Sequence, residues 1–305
     1  MYLYHFGIKE LPFTLTPNTN FYYALPAHKE ALQVLVHTLK SGEGFIKVTG
    51  EVGTGKTLIC RKILNELPDH FVTAYIPNPY LSPDELRRAV ATELGVELGD
   101  HSDQQEFTHR IQEKLISIHQ KGQSVVLIID EAQALPLDSL EVLRLFTNLE
   151  TESRKLLQVV LFGQPELDDK LSKPEIRQLK QRITFSYTLK TMDEDQLYFY
   201  VRHRLKVAGM RSGLEIFNRK VCRLLHAATN GTPRLVNVLC HKAMMLAYGE
   251  GKHKVNKQHT RLAIADTDAC LQLKSHRGAK VSLAGLAFIL LGVALWYFLT
   301  EFNLL

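Results

Sequence analysis

The run Gly50-Glu51-Val52-Gly53-Thr54-Gly55-Lys56-Thr57 sets two glycines five positions apart, followed at once by a lysine and a hydroxyl residue. That spacing lets consecutive backbone N–H groups turn inward on phosphate oxygens, at the positive N-terminus of the helix that follows. Lys56 can then reach β- and γ-phosphates, and the Thr57 hydroxyl can ligate Mg²⁺. A second element supplies acid. Val125-Val126-Leu127-Ile128-Ile129 is a continuous apolar run that ends in Asp130-Glu131. Asp130 is placed to hold Mg²⁺ directly or through water, and Glu131 to orient and polarise an attacking water. In this order the two elements predict ATP binding with Mg²⁺.

Phosphoryl transfer also needs positive charge on the γ-phosphate, often an arginine from another subunit. Arg177 and Arg182, in the stretch 174–185, are candidates, as is Arg234, which starts a helix in the C-terminal half. Gln164 ends an apolar strand and can hydrogen-bond the water or the phosphate. The 13 histidines form no metal-ligand cluster in the sequence. Cys60, Cys222, Cys240 and Cys270 are far apart, with no paired spacing, and read as reduced, buried thiols.

The elements that must position these residues alternate. Residues 45–49 read as a strand, 55–67 as a helix, 71–76 as a strand, and 104–119 as a helix. Strand 125–129, helix 138–149 and strand 156–162 follow, with a last strand after Arg182. Ser82-Pro83-Asp84-Glu85 has a helix-start pattern: an N-cap serine, proline at the first position and an acid three residues on. Strand–helix alternation of this kind predicts a parallel sheet sandwiched by helices. After about Lys190 only helices are expected, at 193–207, 218–229, 233–248 and 257–273, so a domain boundary is placed there.

The balance of 37 Lys+Arg against 32 Asp+Glu leaves +5, too little to argue for a nucleic-acid partner by itself. With 45% hydrophobic and 23% charged residues, the chain is neither mainly disordered nor a polytopic membrane protein. Its start has no apolar signal-peptide core. Residues 281–300, however, carry no charge over 20 positions. As a helix they span roughly 30 Å, the thickness of a bilayer's hydrocarbon core. Lys274, Arg277 and Lys280 precede this segment, which places the residues before it in the cytoplasm. The expected organisation is therefore an ATPase domain with an N-terminal extension over 1–190 and a helical domain over 191–273. A basic linker at 274–280, a transmembrane helix at 281–300 and a periplasmic tail at 301–305 complete it.

Taken together, these pieces resemble the AAA+ ATPases, and within them the ExeA-like branch associated with type II secretion and type IV pilus assembly. The resemblance covers about residues 1–270. It rests on FGIKELPF near the start, Phe21-Tyr22-Tyr23, His28 to Leu32, GFIKVTGEVGTGKT, LIIDEAQ, RLFTNLET, VVLFGQPEL, QLKQRI and GTPRLVNVLC. Within the branch the chain looks most similar to the ATPases of mannose-sensitive haemagglutinin (MSHA) pilus biogenesis. The resemblance implies an α/β P-loop fold followed by an all-α lid. It implies Gln164 as sensor 1, Arg182 as a finger acting on a neighbouring subunit, Arg234 as sensor 2, and an N-terminal segment near the adenine. It also implies a homo-oligomer, a ring or a dimer, working with inner-membrane pilus or secretion assembly proteins.

Two departures stand out. The family's usual Asp-Glu-Ala-Gln-Asn reads Asp130-Glu131-Ala132-Gln133-Ala134 here, which removes a polar group but neither carboxylate. Longer members carry a peptidoglycan-binding portion after the membrane span, whereas only residues 301–305 follow it here. Any periplasmic effect is thus expected to pass through a membrane partner. The expected function is a bacterial inner-membrane, single-pass ATPase, its ATPase domain cytoplasmic, that drives or gates such assembly. Two alternatives stay open: a DNA-directed AAA+ ATPase, disfavoured because no basic recognition helix follows the lid, and a nucleotide-gated scaffold with negligible turnover.

Overall fold

The computed structural model describes residues 2–16, 18–96, 104–146, 148–150, 155–211 and 213–270. The chain divides into two compact units: Thr16–Thr191, and the residues up to Leu15 together with those from Met192 onward. The second of these begins with a short helix, α1 (Tyr2–Phe6).

The unit Thr16–Thr191 is built on five parallel strands: β1 (Phe45–Gly50), β2 (Phe71–Ile76), β3 (Ser124–Ile129), β4 (Leu157–Gly163) and β5 (Phe185–Leu189). Their spatial order is β2-β3-β4-β1-β5. α2 (Pro26–Lys40) precedes β1, and between the strands run α3 (Lys56–Glu66), α4 (Pro83–Glu93), α5 (Gln104–Gln120), α6 (Leu137–Phe146), α7 (Glu166–Leu171) and α8 (Arg177–Lys180).

The apolar run at 125–129 belongs to a strand covered on both faces. Val125, Leu127 and Ile129 join one core with Leu86, Val90, Ile111, Leu115, Leu140 and Leu143 from α4, α5 and α6. Val126 and Ile128 join the other, with Leu35 and Leu39 of α2 and Ile59 and Ile63 of α3. The period of two along a strand sends alternate side chains to opposite layers, which is why the run is apolar at every position. The helix start at Ser82 forms as its residues predict. Ser82 accepts from the Glu85 backbone, and Glu85 Oε2 accepts in turn from the Ser82 N–H at 2.8 Å.

The other unit is helical: α9 (Glu194–Val207), α10 (Arg219–Thr229), α11 (Pro233–Gly249) and α12 (Lys257–Ala265). The last helix ends sooner than the expected 257–273. Its chain turns at Asp266, and the Thr267 hydroxyl donates back to Ala263 O at 2.8 Å.

Residues 2–15 depart from expectation in kind. They group with the helical unit, not with the ATPase domain in which 1–190 were placed. Phe6, Ile8 and Phe13 are buried, and Phe13 meets Phe217 edge-on. The Lys9 N–H donates to Ala208 O at 2.7 Å, and Arg204 Nε to Pro12 O at 2.5 Å. Apolar burial with paired backbone fixes this docking, which nearness in sequence could not foretell.

Among the described residues no helix is long and apolar enough to cross a membrane. The linker 274–280, the apolar segment 281–300 and the tail 301–305 lie outside the described residues.

Candidate active site

β4 lies between β1 and β3, so the carboxyl ends of three strands come side by side. Thr49 of β1 aligns with Gly163 of β4, and Ile129 of β3 aligns with Leu161. Each strand releases one part of the site at that end: Gly50–Thr57 after β1, Asp130 and Glu131 after β3, Gln164 after β4. In parallel α/β sheets the crevice beyond the carboxyl ends is where ligands bind.

The loop after β1 is closed by its own side chains. Lys56 is 5% exposed and its Nζ donates to Gly50 O at 2.7 Å and Glu51 O at 3.0 Å. Thr54 Oγ1 donates to Glu51 O at 2.8 Å. Gly55 has φ 101°, a left-handed conformation that glycine adopts without strain, and leads directly into α3. Burial pushes the Lys56 ammonium down, an effect only partly offset by Glu131 and Asp130.

Asp130 is 2% exposed. Burial pushes its carboxyl up, while the Thr57 hydroxyl and the Glu131 N–H, the latter at 3.0 Å, donate to the charged form. An acidic oxygen and a hydroxyl facing one another is a donor set that suits a hard cation such as Mg²⁺. Glu131 follows with φ 53°, one of two non-glycine residues at positive φ among those described. Such a backbone is costly and tends to occur at functional sites. It turns the carboxylate back toward β4. There Gln133 Nε2 donates to Glu131 Oε2 at 2.5 Å, and Gln164 Nε2 to the same oxygen at 3.0 Å. Gln133 Oε1 accepts from the Gln164 N–H at 3.0 Å, which closes the triangle. Burial alone would raise the Glu131 carboxyl, but the two amides and Lys56 outweigh it and hold it below the usual glutamate range.

Of the residues singled out in the sequence, the structure thus brings together Gly50 to Thr57, Asp130, Glu131 and Gln164. Arg182 stands elsewhere: half-buried in the turn between α8 and β5, at the amino end of the sheet. Arg177 is exposed at the start of α8. Arg234 is the second residue of α11 in the helical unit and is exposed. Gln133 was not among the candidates. Its signal was an amide two residues beyond the acidic pair, but only the left-handed backbone at Glu131 shows where that amide goes. Among the described residues no group of three or more His, Cys, Asp or Glu is arranged to hold a metal ion.

Residues 38–171 match the family model of an AAA domain. General secretion pathway protein A of Aeromonas hydrophila is 39% identical over 299 residues, which cover 98% of this chain and 54% of that protein. The chain therefore spans about half the length of this relative. Among solved structures, Cdc6p of Pyrobaculum aerophilum is similar with a TM-score of 0.63 and 20% identity, over 80% of this chain and 69% of that one. The ORC2 protein of Aeropyrum pernix is similar with a TM-score of 0.59 and 15% identity, over 82% and 72%. At these identities the likeness is one of fold. Residues 38–171 thus match an AAA domain on an α/β fold, and the chain as a whole is similar to general secretion pathway protein A.

Proposed function

We propose that this chain hydrolyses ATP at the carboxyl ends of β1, β3 and β4. In this reading it works as a homo-oligomer at the cytoplasmic face of a bacterial inner membrane and drives or gates assembly of an MSHA-type type IV pilus or a type II secretion machine. The observation that carries the catalytic part is the Glu131 carboxylate. One of its oxygens takes both amide donors, and Oε1 is left to accept a proton from water. The depressed pKa keeps that carboxylate ionised at neutral pH. Thr57 and Asp130 would hold Mg²⁺, which when bound neutralises charge on the phosphate oxygens. Lys56 would exchange carbonyl partners for phosphate oxygens, with the N–H groups of Gly50 to Thr57 around it. Gln164 would contact the water or the γ-phosphate, and Arg182 would add positive charge to the γ-phosphate of a neighbouring protomer.

The link to pilus or secretion assembly rests on the likeness to the Aeromonas hydrophila protein and on the motifs of the chain. Membrane attachment rests on the uncharged segment 281–300. Two variants test the catalytic reading. Lys56→Ala should lose ATP binding with the fold intact, and Glu131→Gln should keep ATP binding and lose turnover at least 100-fold, the scale of a positioned base. Unchanged affinity in the first, or turnover within a few-fold of the parent in the second, would remove the corresponding role.

A further inference from the structure

The carbonyls of the phosphate loop are satisfied by partners of two kinds. Lys56 donates to Gly50 O and Glu51 O, yet it is also the side chain proposed to hold the phosphates. An ammonium has three donors. Reaching a β- and a γ-oxygen uses two of them, so at least one of its carbonyl contacts must be given up. The carbonyl of Thr54 is held differently, by His28 Nε2 at 3.0 Å. His28 lies in the first turn of α2, is 3% exposed and has no part in the chemistry.

The acceptor decides the tautomer. A carbonyl oxygen cannot donate, so Nε2 carries the proton and Nδ1 is a bare acceptor. Nδ1 is buried without a hydrogen-bond partner. Burial pushes the imidazole below its usual range and keeps it neutral. The ring is also set in place sterically. A Cβ on Gly55 would come within 3.0 Å of its Cε1 and 3.2 Å of its Nε2, and the Tyr22 ring lies 18° from parallel with it at 6.2 Å.

We propose that His28 is a positioning residue for phosphate binding, which pins the Thr54–Gly55 peptide so that its N–H stays aimed into the cradle while Lys56 changes partners. The geometry of the peptide supplies the link: in a trans unit the Thr54 C=O and the Gly55 N–H point in opposite directions. Holding the carbonyl outward holds the amide inward. Without the imidazole the peptide can flip, and the buried carbonyl loses its donor, which costs about tenfold in an equilibrium. This inference rests on the phosphate-loop reading proposed above.

A cradle effect should depend on the β-phosphate. On the full chain, affinities for ADP and AMP are measured by competition with a fluorescent nucleotide, alongside KM and kcat for ATP. His28→Leu fills the space without a donor, and His28→Gln returns an N–H at similar reach. The Leu variant should bind ADP about tenfold more weakly and AMP within about twofold of the parent, with KM raised more than kcat is lowered. The Gln variant should recover most of the ADP affinity. Unchanged ADP affinity in the Leu variant overturns the inference, as does equal loss for ADP and AMP, which marks general damage to the pocket. If the Leu variant does not fold, the Gln variant decides alone, since a folded Gln variant as weak for ADP as Lys56→Ala overturns it. A parent chain that binds ADP no better than AMP overturns the phosphate-loop reading, and this inference with it.

Discussion

Glu131 and its two amides form one unit in which each member depends on the others. Gln133 and Gln164 donate to the same carboxylate oxygen, and Gln133 also receives the Gln164 N–H. Removing either side-chain amide leaves the carboxylate with one donor, and removing Gln133 also takes the acceptor from the Gln164 N–H. Hydrogen bonds to a charged group are each worth about 1.5–3 kcal/mol, so Gln133→Ala should lower kcat at least tenfold and change KM less. Residues sharing one network couple by roughly 0.5–3 kcal/mol. The Gln133→Ala, Gln164→Ala double variant should therefore lose much less than the product of the single losses, as steady-state rates of all three can show. Full additivity would mean that the amides act separately. A rise in kcat on losing Gln133 would mean that they restrain Glu131 instead of placing it.

At the scale of elements, the turn between α10 and α11 gives a sharp stability test. Asn230 (φ 49°) and Gly231 (φ 70°) are both left-handed, and the Met192 N–H donates to Gly231 O at 3.0 Å. A Cβ on Gly231 would lie 1.9 Å from Met192 O, a backbone atom that cannot rotate away. Gly231→Ala should cost about 3 kcal/mol or more and lower the urea midpoint of the helical unit, followed by circular dichroism. An unchanged midpoint would mean that this turn is free to rearrange. Asn-Gly-Thr-Pro was legible as a helix break, and the phosphate loop and acidic pair were legible too, because strand, turn and helix start are written in neighbouring residues. The docking of residues 2–15 was not, since the carbonyl, guanidinium and ring that meet Lys9, Pro12 and Phe13 lie some two hundred positions away. Nor was the role of Gln133 or His28, as each depends on a backbone angle or a helix packing that no local pattern encodes.

At the scale of the whole molecule, the position of Arg182 bears on whether one chain suffices. β5 is an edge strand parallel to β1, and Phe185 aligns with Ile46 at the start of that strand. Arg182 precedes β5, and the Thr184 N–H donates to Phe45 O at 3.0 Å, so Arg182 is level with the amino end of the sheet. The phosphate loop leaves from the carboxyl end. At about 3.3 Å per residue, the length of β1 separates the two by roughly 15–20 Å, about twice the reach of an arginine. If Arg182 meets a γ-phosphate, that phosphate belongs to a neighbouring protomer. Turnover should then rise faster than linearly with protein concentration until oligomers saturate. Arg182→Ala should keep ATP binding and lose about 10³-fold or more in rate, the scale of arginine fingers. Mixing it with Lys56→Ala should restore some activity, because one variant keeps a nucleotide site and the other keeps a finger. No rescue in a mixture shown to co-assemble would mean that Arg182 supports its own chain's fold and not its neighbour's chemistry.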